Sequence, residues 1–90
     1  MNNKKIIKFE KEGCAPCIAL DAWLESKGLQ SYTKINPFED FESAIEYNIK
    51  TVPVLILIDE NGQEVKRCIG DVSKNPKRYE LLLEMYNNGD

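Results

Sequence analysis

Residues 10–20 read EKEGCAPCIAL and hold two of the chain's three cysteines, Cys14 and Cys17, with only Ala15 and Pro16 between them. Downstream, APCIALDAWLESKG at 15–28 predicts a helix. Pro16 is tolerated in its first turn, Cys17, Leu20 and Leu24 fall at i, i+3 and i+7 on one face, and Gly28 stands at the C-terminal stop. Upstream, KKIIKF at 4–9 predicts a short strand built on Ile6, Ile7 and Phe9 and ended by Gly13. Both cysteines therefore sit at a helix N-terminus directly after a strand. Such a pair is half of a metal site, a structural staple, or a redox centre whose two sulfurs take turns.

Composition narrows these readings. Ninety residues suffice for one compact domain, expected over 1–90, and 15 acidic against 12 basic residues leave a net charge of −3. Nucleic acid is thus an unsuitable main partner, because phosphate binding needs a basic face. The apolar run at the N-terminus is only Ile6 and Ile7 before Lys8 interrupts, far short of a signal-peptide core, and no later run approaches the roughly 20 residues of a membrane span. The expectation is a soluble cytoplasmic protein with no membrane partner. In that compartment a close cysteine pair is catalytic or metal-binding rather than a permanent staple, since cellular thiols keep ordinary disulfides reduced.

The remaining elements read in order. SYTKI at 31–35 is a weaker strand, and NPFE at 36–39 opens a second helix. There Asn36 is the expected cap, Pro37 the first helical residue and Glu39 the partner in a capping box. Phe38, Phe41 and Ile45 line one face of that helix, which ends near Asn48. TVPVLILI at 51–58 carries an unbroken apolar run from Val54, the mark of a strand covered on both faces. DENG at 59–62 is a turn between that run and QEVKRCI at 63–69, which makes a hairpin. After Gly70 comes a last helix, with Asn75 as cap, Pro76 at the first position and Tyr79, Leu82, Leu83 and Tyr86 on one stripe. The order is βαβαββα: an α/β chain with one four-stranded mixed sheet flanked on both sides by three helices.

A cysteine pair opening a helix, Thr51-Val52-Pro53 before a buried strand, a hairpin, then Gly70 and a final helix together resemble a thioredoxin. The form is short, a minimal thioredoxin fold of near-glutaredoxin size without the family's extra N-terminal strand and helix. YNIKTVPVLILIDENGQEV through IGDVSKN is especially similar to the segment around the family's cis-proline, hairpin and glycine. The resemblance implies a cis Val52–Pro53 bond beside the sulfurs, with the Val52 backbone offered to an extended substrate segment. Gly70 either gives a partner's backbone close access or merely ends its strand.

Chemistry suits the pair to redox exchange. Two sulfurs at this spacing close a small ring without unwinding the helix. Cys14, before or at the first turn, lies where unpaired backbone N–H groups and the helix dipole favour an anion. It is the expected nucleophile, and Cys17, turned toward the core with Leu20 and Leu24, the resolving cysteine.

Departures from the family pattern are also legible. Gly13 and Ala15 stand where thioredoxins carry a tryptophan and a glycine, and Lys8 stands where they carry a buried acid, with Lys34 matching that acid's usual lysine partner. Two ammonium groups near the sulfurs would favour thiolates and make the pair a weaker reductant; the alternative is that Lys8 snorkels to solvent. Asp21, one turn past Cys17, is either another proton acceptor or an ordinary solvated carboxylate. Cys68 is unpaired by arithmetic and reads as core filler, and Trp23 as a core or helix-face residue.

The expected activity is a protein-disulfide reductase that needs no prosthetic cofactor, acts on disulfide-containing proteins as a monomer and is recharged by a flavoprotein of the thioredoxin-reductase kind. Glutathione is the alternative electron source, kept open by Gly70-Asp71. A redox-inert binding module or a metal-binding protein are the other classes; for zinc the chain offers no histidine, one CxxC and a solitary Cys68.

Overall fold

A computed structural model describes residues 3–88. Among these the elements are β1 (Lys5–Phe9), α1 (Ala15–Ser26), β2 (Thr33–Ile35), α2 (Phe41–Glu46), β3 (Val54–Ile58), β4 (Glu64–Ile69) and α3 (Pro76–Asn87). The strands form one sheet in the order β2-β1-β3-β4. β1 and β2 are parallel, as a crossover through α1 requires, while β3 runs antiparallel to both β1 and β4. This is the expected mixed sheet.

Strand alternation divides the core. Ile6 faces α1 and α3 in a cluster with Leu20, Leu24, Leu55, Leu57, Cys68, Tyr79 and Leu82. Phe9 faces the other way, with Val54, Ile56 and Ile58, and Tyr47, Ile49 and Val52 pack over them. All five β3 residues are buried, which explains why that strand reads as a continuous apolar run rather than an alternation.

The ends of α1 follow local rules. Cys14 occupies the N-cap in extended conformation, and past the C-cap Lys27 the amides of Gly28 and Leu29 return to the carbonyls of Glu25 and Leu24, a Schellman closure. The hairpin turn is held by Asp59, whose carboxylate accepts from the amides of Asn61 and Gln63, each at 2.9 Å.

The second helix departs from its sequence reading. Asn36–Glu39 forms turns instead: the Asn36 side chain accepts from the Phe38 amide at 2.9 Å, and its carbonyl accepts from the amides of Glu39 and Asp40. Asp40, not Asn36, then caps the helix by accepting from the Ser43 amide and hydroxyl. Phe38 and Phe41 are exposed and Ile45 is 80% exposed, while Tyr47, Ile49 and Val52 fill the space on that side of the sheet. At α3, Asn75 takes the cap position without a side-chain bond, and Tyr79, Leu82 and Leu83 are buried as their stripe requires.

Candidate active site

Strand β1 delivers the chain to the site and α1 leads away from it. Cys14 and Cys17 are joined as a disulfide, their Cα atoms 5.2 Å apart. The Cys14 sulfur also accepts from the Cys17 amide at 3.3 Å, so the sulfur itself supplies the N-cap contact of α1. Both residues are buried, Cys17 at 2% exposure and Cys14 at 6%. Gly13 adopts φ +69°, a left-handed conformation that a side chain strains. An aromatic side chain at this position would be strained in that backbone conformation.

The Val52–Pro53 peptide bond is cis. Pro53 is fully buried, and its carbonyl accepts from the Gly70 amide at 3.0 Å, tying the start of β3 to the end of β4. Gly70 has φ +94°, and a Cβ built there would meet open space. Backbone conformation, not crowding within the chain, therefore demands glycine at this position. Its carbonyl accepts from the buried Tyr79 hydroxyl at 2.6 Å, which docks α3 onto the same corner.

Lys8 does not snorkel. Alternation puts it on the α1 face of β1 with Ile6, and its side chain is 0% exposed. Nζ donates to Asp21 Oδ1 at 2.7 Å, to Glu10 Oε1 at 2.6 Å and to the backbone carbonyl of Cys17 at 2.8 Å. An ammonium has three protons, and these three acceptors use all of them. Removing such a charge from water costs on the order of several kcal/mol unless it is paired, and the two carboxylates provide the pairing.

Asp21 is the hub of the cluster rather than a solvated helix carboxylate. Besides Lys8 it accepts from the Tyr32 hydroxyl and, through Oδ2, from Lys34 Nζ at 3.3 Å. Burial pushes its carboxyl up, but the Lys8 and Tyr32 hydrogen bonds, the Lys8 charge and the Lys34 contact outweigh it and leave the group below the ordinary carboxylate value. Burial and then the Asp21 carboxylate raise the Tyr32 phenol well above its usual range, so Tyr32 stays a donor. Lys34 lies beside Lys8 in the parallel register but is half exposed.

Sequence reading named Lys8, Lys34 and Asp21 but missed Glu10 and Tyr32. A signal for Glu10 existed: two residues past Lys8 along an extended segment, it falls on the same side. Tyr32 had no such signal, because only the crossover brings it over α1.

The third cysteine is placed apart from this chemistry. Cys68 is buried in the α1–α3 side of the core, its thiol donates to the Arg78 carbonyl at 3.3 Å, and burial raises its pKa. Trp23 packs at the core margin, edge-on to Tyr79. The Asp71 carboxylate accepts from the amide and hydroxyl of Ser73. Among the described residues, no group of three or more His, Cys, Asp or Glu is arranged to hold a metal ion, and no helix is long and apolar enough to cross a membrane.

No protein-family model matches the chain. It is 33% identical over 81 residues to the SPbeta prophage-derived thioredoxin-like protein YosR of Bacillus subtilis, covering 90% of this chain and 98% of that protein. It is 34% identical over 77 residues to a thioredoxin of Mycoplasma pneumoniae, covering 81% of this chain and 74% of the relative. Among solved structures, a mutant thioredoxin from Halobacterium salinarum superposes with a TM-score of 0.75 at 26% identity, over 94% of this chain and 75% of that one.

Proposed function

The chain belongs to the thioredoxin family, and from the Cys14–Cys17 pair that makes it a dithiol–disulfide oxidoreductase we propose a cycle that reduces disulfides in partner proteins. Cys14 is the nucleophile. Its thiolate attacks one sulfur of the substrate disulfide, that S–S bond breaks, and the departing substrate sulfur takes up a proton, leaving a mixed disulfide. The observation that carries this assignment is the Cys17 amide directed at the Cys14 sulfur from 3.3 Å, at a helix start where free N–H groups favour an anion.

Cys17 resolves the intermediate. Once deprotonated it attacks the Cys14 sulfur, the second substrate thiol leaves, and the Cys14–Cys17 disulfide remains. Two electrons and two protons have then passed to the substrate. Val52, Pro53 and Gly70 form the ledge on which an extended substrate segment pairs with the Val52 backbone, and Lys8 and Lys34 tune the thiols. A flavoprotein reductase of the thioredoxin-reductase kind returns the two electrons, and the chain works as a cytoplasmic monomer, a compartment that suits the unpaired thiol of Cys68.

The test is capture of the intermediate. A Cys17→Ser variant, reduced and mixed with a protein disulfide such as insulin, is expected to accumulate a covalent adduct through Cys14 that dithiothreitol releases. Absence of that adduct, or an adduct through Cys68, overturns the assignment. Recharging is read separately, by NADPH consumption with a flavoprotein reductase against glutathione with glutathione reductase.

A further inference from the structure

Among the described residues, Lys8 is the one wholly buried charged side chain in the core, and it is bonded to the backbone of Cys17 itself. The charged and titratable groups around it come from every neighbouring segment: Glu10 after β1, Asp21 on α1, Tyr32 ahead of β2 and Lys34 on β2. Two ammonium groups face two carboxylates, and the Tyr32 phenol is neutral. The hydrogen-bonded cluster therefore sums to zero charge, with the Glu25 carboxylate acting on Tyr32 from outside it.

That balance changes what Lys8 does for the cysteines. With all three protons committed to oxygen acceptors, the ammonium has none left for a sulfur. Its field at the sulfurs is opposed by Asp21 and Glu10 at nearly the same place. A reduced pair carries negative charge on a thiolate, whereas the disulfide carries none, so any net charge beside Cys17 acts on the dithiol form alone.

From this we infer that Lys8 and Asp21 are positioning residues that hold a charge-neutral cluster against Cys17 and thereby set the potential of the Cys14–Cys17 couple. The inference rests on the two-electron couple described above. Lys8→Met leaves the cluster at −1, which disfavours thiolate and makes the protein a stronger reductant. Asp21→Asn and Glu10→Gln each leave it at +1, which stabilises thiolate and makes the protein a weaker one. Lys8→Met combined with Asp21→Asn is neutral again.

The experiment is equilibration of each protein with a thiol–disulfide buffer of graded ratio, in which two buffer thiols give two electrons to the Cys14–Cys17 bond and become a disulfide. Alkylation and peptide mass then score each cysteine. Expected shifts are about tenfold in the equilibrium constant for each single variant, about 30 mV in potential, in opposite directions for Lys8→Met and the two carboxylate variants, with the double variant returning toward the parent. The pH dependence of Cys14 alkylation should move in the same senses. Loss of packing alone would not produce opposite signs, so shifts of one sign, or none, overturn the inference while leaving the couple standing. Failure of Cys14 and Cys17 in the parent to titrate together overturns both readings. Should Lys8→Met not fold, Lys8→Gln, which also leaves the cluster at −1, takes its place, and its shift must again be opposite in sign to those of the two carboxylate variants.

Discussion

The amide of Gly70 donates to the carbonyl of Pro53, and this single 3.0 Å bond ties the end of β4 to the cis-proline turn that opens β3. Because Gly70 holds φ +94°, Gly70→Ala is expected to destabilise the fold by about 1–2 kcal/mol through left-handed backbone strain. Urea midpoints of the two proteins check it, and an unchanged midpoint would show that this corner relaxes freely.

Tyr79 braces the same corner from α3. Tyr79→Phe removes the hydroxyl that donates to the Gly70 carbonyl at 2.6 Å, and the expected cost is about 0.5–1.5 kcal/mol, the net worth of one hydrogen bond to a partly buried acceptor. The loss should appear in thermal unfolding of the oxidised protein.

Asp21 makes stability depend on acid. Its folded pKa lies below the ordinary 3.8, so its contribution is fully present above that value and fades as the pH falls through the lower folded value. Asp21→Asn should accordingly be less stable than the parent at pH 7, with the difference closing well below pH 3.8. Denaturant titrations across that range test the sign; a gap that widens on acidification would contradict it.

Cys68 should be silent in the native protein. Wholly buried, with its pKa raised, it is expected to resist alkylation at neutral pH until the chain unfolds, while Cys14, whose sulfur caps the start of α1, reacts faster in the reduced protein. Cys68→Ala should leave the Cys14–Cys17 midpoint unchanged. Alkylation time courses with and without denaturant are the measurement.

The outward face of α2 gives a contrasting case. Ile45→Ser should change stability by no more than about 0.5 kcal/mol, because Ile45 is 80% exposed. An inward-facing isoleucine reduced to serine would instead cost several times as much. Urea midpoints of parent and variant check it, and a large drop would mean that the face is covered in solution.

Much of the fold and the centre of the site were written locally. Strand β1, helix α1 with its cysteines at the start, the buried β3 run, the Asp59–Gly62 turn and the α3 stripe all follow from spacing and turn chemistry acting within about a dozen residues. Two features were decided only in three dimensions. The spacing put Phe41 and Ile45 on one apolar stripe of α2, but packing decided what covered that side of the sheet: Tyr47, Ile49 and Val52 fill it, and Phe41 and Ile45 face solvent. The surroundings of Lys8 depended on the crossover that lays β2 beside β1 and α1 above both. Glu10, two residues on, is a local partner, but a lysine in a strand carries no local mark of burial; only the packing that brought Asp21 and the Cys17 carbonyl to its ammonium made a buried charge tolerable there.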